Sequence, residues 1–119
     1  MSEAVGTLTG MSYDEELAGR IRAGLSFTEG VTEKRMFGGL GFMVDGHMVA
    51  AASSGGGVML RLDPTEAADL VDGAQVRPFR MNGREPAGWL YLEPEAVDGG
   101  HLQRWLERGL AFVRTLPPK

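Results

Sequence analysis

The chain has 119 residues, 43% of them hydrophobic and 24% charged, with no cysteine and two histidines. That is one domain's worth of globular protein, able to bury about two thirds of its unfolded surface without staples. Disulfides, thiolate zinc sites, iron–sulfur clusters and cysteine nucleophiles are excluded, and no apolar run approaches the ~20 residues of a membrane span. With no charged-then-apolar leader at the start, a cytoplasmic protein is expected.

The net charge of −4 is unevenly spread: residues 77–119 hold seven basic and five acidic side chains, while the body before them is acidic. A field of that sign does not favour phosphate backbones. Residues 1–11 lack periodicity and read as an extended or disordered segment, and Met11 offers a second start after Met1; residues 12–119 read as the domain.

Ser12 to Glu15 fits a capping box, and Leu17, Ile21 and Leu25 then repeat at helical spacing, predicting a helix over 12–26. From Val31 the period becomes two. Val31, Glu33, Arg35 and Phe37 share one strand face, and Thr32, Lys34 and Met36 the other. Gly38-Gly39 ends that strand. Asp45-Gly46 predicts a two-residue hairpin turn, which sets Val44 opposite His47, Met43 opposite Met48 and Phe42 opposite Val49. Leu40, Phe42, Val44, His47 and Val49 then share one face, with Met43 and Met48 on the other. Ser53 to Gly57 links to a strand over 58–62.

Asp63-Pro64-Thr65-Glu66 marks a second helix start. Ala67, Leu70 and Val71 form its apolar stripe, and Asp72-Gly73 ends it. Strands over 76–80 and 89–92 flank an Asn82-Gly83 turn. Leu102, Trp105, Leu106, Leu110, Val113 and Leu116 predict a last helix over 101–116, stopped by Pro117-Pro118. The order α-β-β-β(-β)-α-β-β-α, with hairpin links, predicts an α+β fold: a single antiparallel sheet of five or six strands with helices packed on it.

Catalytic signals are weak. Gly55-Gly56-Gly57 leads into a strand without lysine and is no phosphate loop. Gly38-Gly39-Leu40-Gly41 has the wrong spacing for a dinucleotide fingerprint. Ser53 and Ser54 lack a nucleophile-elbow context. Asp14, Glu15 and Glu16 suit capping, and Glu93 and Glu95 flank a proline turn, so no acid/base pair is poised. His47 faces away from Met43 and Met48 and reads as a half-buried strand-end histidine. His101 reads as exposed. The seven methionines read as gap-filling core residues, not as a copper site. No metal or cofactor is expected. Arg77, Arg80 and Arg84, with Phe79 between, form a weak basic patch divided between strand faces and a turn.

The segment Val31-Thr-Glu-Lys-Arg-Met-Phe-Gly-Gly39 carries more. With the Ser12-Tyr-Asp-Glu-Glu-Leu opening, Arg61 before the acidic-proline helix start, Gly88-Trp89, and Trp105 leading to Gly109-Leu110-Ala111-Phe112, it resembles the N-terminal domain of the TfoX/Sxy family over Met11–Lys119. The resemblance implies one antiparallel sheet in a secretion-chaperone-like arrangement and no catalytic residues. Its best-known members regulate natural competence together with a cyclic-AMP-responsive activator, and carry a C-terminal helical domain that this chain does not include. The expectation is a non-enzymatic protein-interaction module, of the transcriptional-accessory kind, working through an unidentified protein partner. Its candidate surface is Lys34, Arg35, Gly38 and Gly39 beside Trp89. A homodimer is compatible with this reading; sequence-specific DNA binding and membrane association are not expected. The alternative is a small-ligand binder with an apolar pocket between the sheet and the last helix, lined by Met43, Met48 and Trp89.

Overall fold

The computed structural model describes residues 13–36 and 38–117. Helix α1 spans Glu15–Gly24 and is followed by strands β1 (Val31–Met36), β2 (Gly39–Val44), β3 (His47–Ala52) and β4 (Val58–Arg61). Helix α2 (Pro64–Leu70), strands β5 (Val76–Pro78) and β6 (Trp89–Leu92), a 3₁₀ turn (Pro94–Val97) and helix α3 (His101–Val113) complete the order. The six strands form one sheet in the order β1-β2-β3-β4-β6-β5, and every neighbouring pair is antiparallel. The predicted α+β class and element order therefore hold.

Helix α1 starts later than the capping box implies. Asp14 is the N-cap, its Oδ1 accepting from the Glu16 and Leu17 amides at 2.9 and 3.2 Å. Aspartate caps as well as serine does. Ser12, the extended segment over 1–11, Phe37 and Pro118 lie outside the described residues. The later start leaves Leu17, Ala18 and Ile21 as the buried stripe.

Both hairpin turns follow from their residue pairs. Asp45 and Gly46 have φ of 52° and 87°, and Asn82 and Gly83 have 54° and 75°. Left-handed values at two consecutive positions match the natural twist of paired strands, and Asx-Gly adopts them at least cost. The predicted pairs Val44–His47 and Met43–Met48 are present, but Phe42 lies opposite Ala50, not Val49. A bulge intervenes: Val49 and Ala50, consecutive in sequence, are both fully buried in the core. Strand alternation cannot reveal such an inserted residue.

Asp63 caps α2 through bonds to the Thr65 and Glu66 amides. The helix stops at Leu70 because Asp72 Oδ1 accepts from the Ala74, Gln75 and Val76 amides at 2.8–2.9 Å, bending the chain into β5. Strand β5 is shorter than the predicted 76–80, although the Phe79 amide still donates to the Trp89 carbonyl at 3.0 Å. Helix α3 ends at Val113, and looser turns carry the chain to Leu116.

The core lies between the sheet and the helices. Leu17, Ile21 and Leu25 meet Phe42, Val44, Val49, Val58, Leu60, Leu90 and Leu92 of the sheet and Leu102, Leu106, Leu110 and Val113 of α3. Trp105 is only half-buried; its Nε1 donates to the Ala96 carbonyl at 3.1 Å and holds the 3₁₀ turn against α3. At Gly109, a Cβ would stand 2.9 Å from Val49 Cγ2 and 3.1 Å from Leu60 Cδ1, so α3 approaches the sheet at van der Waals contact. Around Gly109 this layer is filled by side chains, and Met43, Met48 and Trp89, expected to line a pocket between sheet and last helix, lie on the opposite face of the sheet. Nor do the methionines fill this core. Among the described residues no methionine belongs to the cluster beneath the helices, although Met59 is buried elsewhere.

Replacing Leu106, which is fully buried, with alanine is expected to cost about 2–5 kcal/mol by chemical denaturation. Two glycine-to-alanine changes in helices should act with opposite signs. Gly19→Ala, with open space around its Cβ, should stabilise α1 by up to about 1 kcal/mol. Gly109→Ala should destabilise, since overpacking typically costs about 1–3 kcal/mol and outweighs the helix-propensity gain.

The three amide bonds to Asp72 hold its carboxyl below the usual carboxylate range, and Arg22 does the same to Glu33 by donating to it at 2.6 and 2.9 Å. Carboxylates whose folded-state pKa is depressed contribute stability above the unfolded value and lose it as pH falls through the folded one. Asp72→Asn keeps an acceptor oxygen but removes the charge. Its melting temperature should fall below wild type at neutral pH, and the gap should close as pH drops below about 4.

Candidate functional site: the methionine face of the sheet

All three helices pack on one face of the sheet, and the described residues place no helix on the other. Strand alternation sends Thr32, Lys34, Met36, Gly41, Met43, Met48, Ala51, Met59 and Tyr91 to that second face. It is apolar at its centre. A hollow of about 220 Å³ is lined by Met36, Gly39, Met48, Ala51, Ala52, Ser53, Ser54, Met59, Phe79 and Met81. A neighbouring cleft of about 160 Å³ shares Met48, Met59, Phe79 and Met81 and adds Pro86 and Trp89. The hairpin after β5 thus folds Phe79 and Met81 to the side of β3 and β4.

Two glycines shape the floor. At Gly41 a Cβ would stand 3.0 Å from Met48 Cε and 3.5 Å from Met36 Sδ, so both side chains lie across this residue. At Gly39 a Cβ would stand 2.3 Å from the Ala52 carbonyl oxygen. Gly38 has φ of 76°, a conformation that side-chain-bearing residues adopt at a cost. The glycine pair of the Met-Phe-Gly-Gly segment is therefore required by the backbone.

The structure separates the candidate surface residues. Lys34, Gly39 and Trp89 all belong to the methionine face, Lys34 exposed at its β1 edge and Trp89 half-buried at the far end. Arg35 pairs with the buried Leu40 and so points to the helix side of the same edge strand, exposed. The basic patch is largely neutralised: Arg77 pairs with Glu93 and Arg80 with Glu85, leaving Arg84 without an ion pair among the described residues. Arg77 also stacks on Tyr91, 5.1 Å from its centroid.

Sequence reading missed Arg61 as a site residue. Its guanidinium lies 5.8 Å from the Trp89 ring centroid and 5.5 Å from that of Phe112, with no ion pair among the described residues. The alternation of β4 hints at the position, but only the fold brings both rings to it. Such a cation between two π faces holds Trp89 in place at the end of the cleft.

His47 is buried, its Nε2 2.6 Å from the Pro117 carbonyl oxygen. A carbonyl only accepts, so Nε2 carries the proton, and Nδ1 is left without a partner. The ring fastens the segment after α3 to the β2–β3 hairpin. No group of three or more histidine, aspartate and glutamate side chains converges as a metal site among the described residues. The largest groove, about 650 Å³, runs openly between α2 and α3, where Arg108 donates to Glu66 at 2.7 Å. Asp63 there is engaged as the cap of α2.

The family model described as the TfoX N-terminal domain matches residues 23–113, from within α1 to the last residue of α3. The chain belongs to the TfoX N-terminal domain family. No curated protein and no solved structure matches it. The matched stretch of this TfoX N-terminal domain includes the whole sheet, both glycines and every residue that lines the hollow. The Ser12–Leu17 opening, which also carries the resemblance, lies outside it. No helix among the described residues is long and apolar enough to cross a membrane.

Gly39→Ala should be more damaging than Gly109→Ala, because the obstructing atom is a carbonyl of a paired strand and cannot rotate away. Denaturant midpoints of the two variants, measured side by side, check that order.

Proposed function

We propose that this domain is a non-enzymatic protein-interaction module of the transcriptional-accessory kind, whose partner docks on the methionine face. One observation carries the reading. Among the described residues, helices cover one face of the sheet, and the other is lined by methionine, phenylalanine and tryptophan side chains around two hollows. Methionine has three rotatable bonds and a polarizable sulfur, which suits a surface that adapts to an apolar anchor of a partner. Lys34 at the rim adds an exposed cation.

A contact with protein and not with DNA is favoured by charge. The net charge is −4, and two of the three arginines of the basic patch are occupied by glutamates. Few cations remain to neutralise phosphates, so duplex affinity should be weak and without sequence preference.

Two measurements test the reading. Titration of promoter and scrambled duplexes in about 150 mM salt should show no saturable preference for the promoter, since at that ionic strength screening acts beyond about 8 Å. Affinity capture from the native host should retain a protein that Met48→Lys releases, while the melting temperature of the variant stays near wild type. Promoter-specific binding, or capture indifferent to Met48→Lys, would overturn the proposal.

A further inference from the structure

Five methionines stand among the described residues, and the core beneath the helices uses none of them; leucine, valine, isoleucine, alanine and phenylalanine fill it. Packing alone does not call for this segregation, because the same aliphatic residues would serve on the second face. Four of the five, Met36, Met48, Met59 and Met81, line the single hollow of about 220 Å³. They arrive from β1, β3, β4 and the hairpin after β5, so their convergence belongs to the fold and not to a local repeat. Met36 Sδ and the Met48 methyl both lie within 3.5 Å of one point above Gly41.

The hollow's donor chemistry is narrow. Among the described residues, no carboxylate, imidazole, ammonium or guanidinium lines it, and its only other polar side chains are Ser53 and Ser54. Ser53 Oγ already accepts from the Gly55 amide at 3.2 Å. Thioethers are soft, neutral donors that need no deprotonation. They discriminate against magnesium, calcium and zinc, which seek oxygen, nitrogen or thiolate, and in favour of monovalent copper. Phe79 stands in the same wall.

We propose that this hollow is a binding site for a soft monovalent metal ion, Cu(I), held by the thioether sulfurs of Met36, Met48, Met59 and Met81. The proposal needs neither His47, which is engaged with Pro117 on the helix side, nor any redox step. It uses the same face as partner docking but is tested with metal alone on the isolated chain, so a negative result leaves the interaction proposal standing, and the reverse also holds.

Full-length protein carrying ¹³C-methyl methionine would be titrated with silver nitrate in chloride-free buffer, and then with Cu(I) under anaerobic conditions against bicinchoninate. A single equivalent should shift the methyl signals of Met36, Met48, Met59 and Met81 and leave Met43 in place, and zinc should shift none of them. The double variant Met36→Leu/Met48→Leu should bind at least about tenfold more weakly, a loss of the size that perturbing a metal's ligand environment brings. Should that variant fail to fold, Met81→Leu, in the hairpin outside the helix-packed core, provides the same comparison. Absence of saturable binding, undiminished affinity in the leucine variants, or shifts confined to Met1, Met11 or Met43 would overturn the proposal.

Discussion

The contact on which the rest of the structure depends is the approach of α3 to the centre of the sheet. It is made at Gly109, against Val49 and Leu60, where a single added carbon would collide with both. Helices ordinarily keep 8–10 Å from their neighbours, set by the side chains between them, and a glycine at the crossing point draws the axes together. The β3 bulge supplies the other half of the contact. By inserting a residue it turns both Val49 and Ala50 toward the helix, giving α3 a broader floor than strict alternation allows. With that layer closed, α1 can lean on both α3 and the sheet, and the Arg22–Glu33 pair ties its outer side to β1.

A sheet sealed so completely on one side has to place its variation on the other. The helix side uses shape-defined aliphatic side chains, which pack into one arrangement and leave no room for a ligand. The second face uses methionine, whose flexibility specifies a unique packing poorly but tolerates many partners. This division of residue types, more than any single side chain, distinguishes the methionine face from the helix-packed one. Polar groups near it are arranged to stay satisfied: Tyr91 Oη accepts from the Gly57 amide at 3.0 Å, and Arg77 stacks on the same ring.

Much of this was legible in the sequence wherever a local rule governs. The Asx-Gly turns, the Asp63-Pro64 helix start and the aliphatic stripe of α3 each need only neighbouring residues. The strand order was not legible. Strand β6 inserts between β4 and β5, pairing Val58–Arg61 with Trp89–Leu92 across a long stretch of chain that carries no local mark of the choice. The misjudged features share this origin. Arg77 and Arg80 read as a basic patch because Glu93 and Glu85 become their neighbours only across a hairpin. The methionines read as core filler because period-two alternation shows that they share a side but not that the described helices all pack on the other. The bulge, a displacement of one residue, has no compositional signature at all.

The Met-Phe-Gly-Gly segment, which carries most of the family resemblance, joins the two halves of this account. Met36 and Gly39 are register partners across β1 and β2, and Lys34 pairs with Gly41 one step along the same face. A side chain at either glycine would project toward the region now occupied by the methionines or strike the carbonyl of Ala52. The missing side chains therefore perform two tasks together. They let β2 sit tightly between its neighbours, and they leave a depression across which Met36 and Met48 can lie. On this geometry the hollow depends on the motif's Gly39 and on Gly41, two residues beyond it: any residue larger than glycine at Gly41 would have to displace Met48 first, and the thioethers would lose the floor that gathers them.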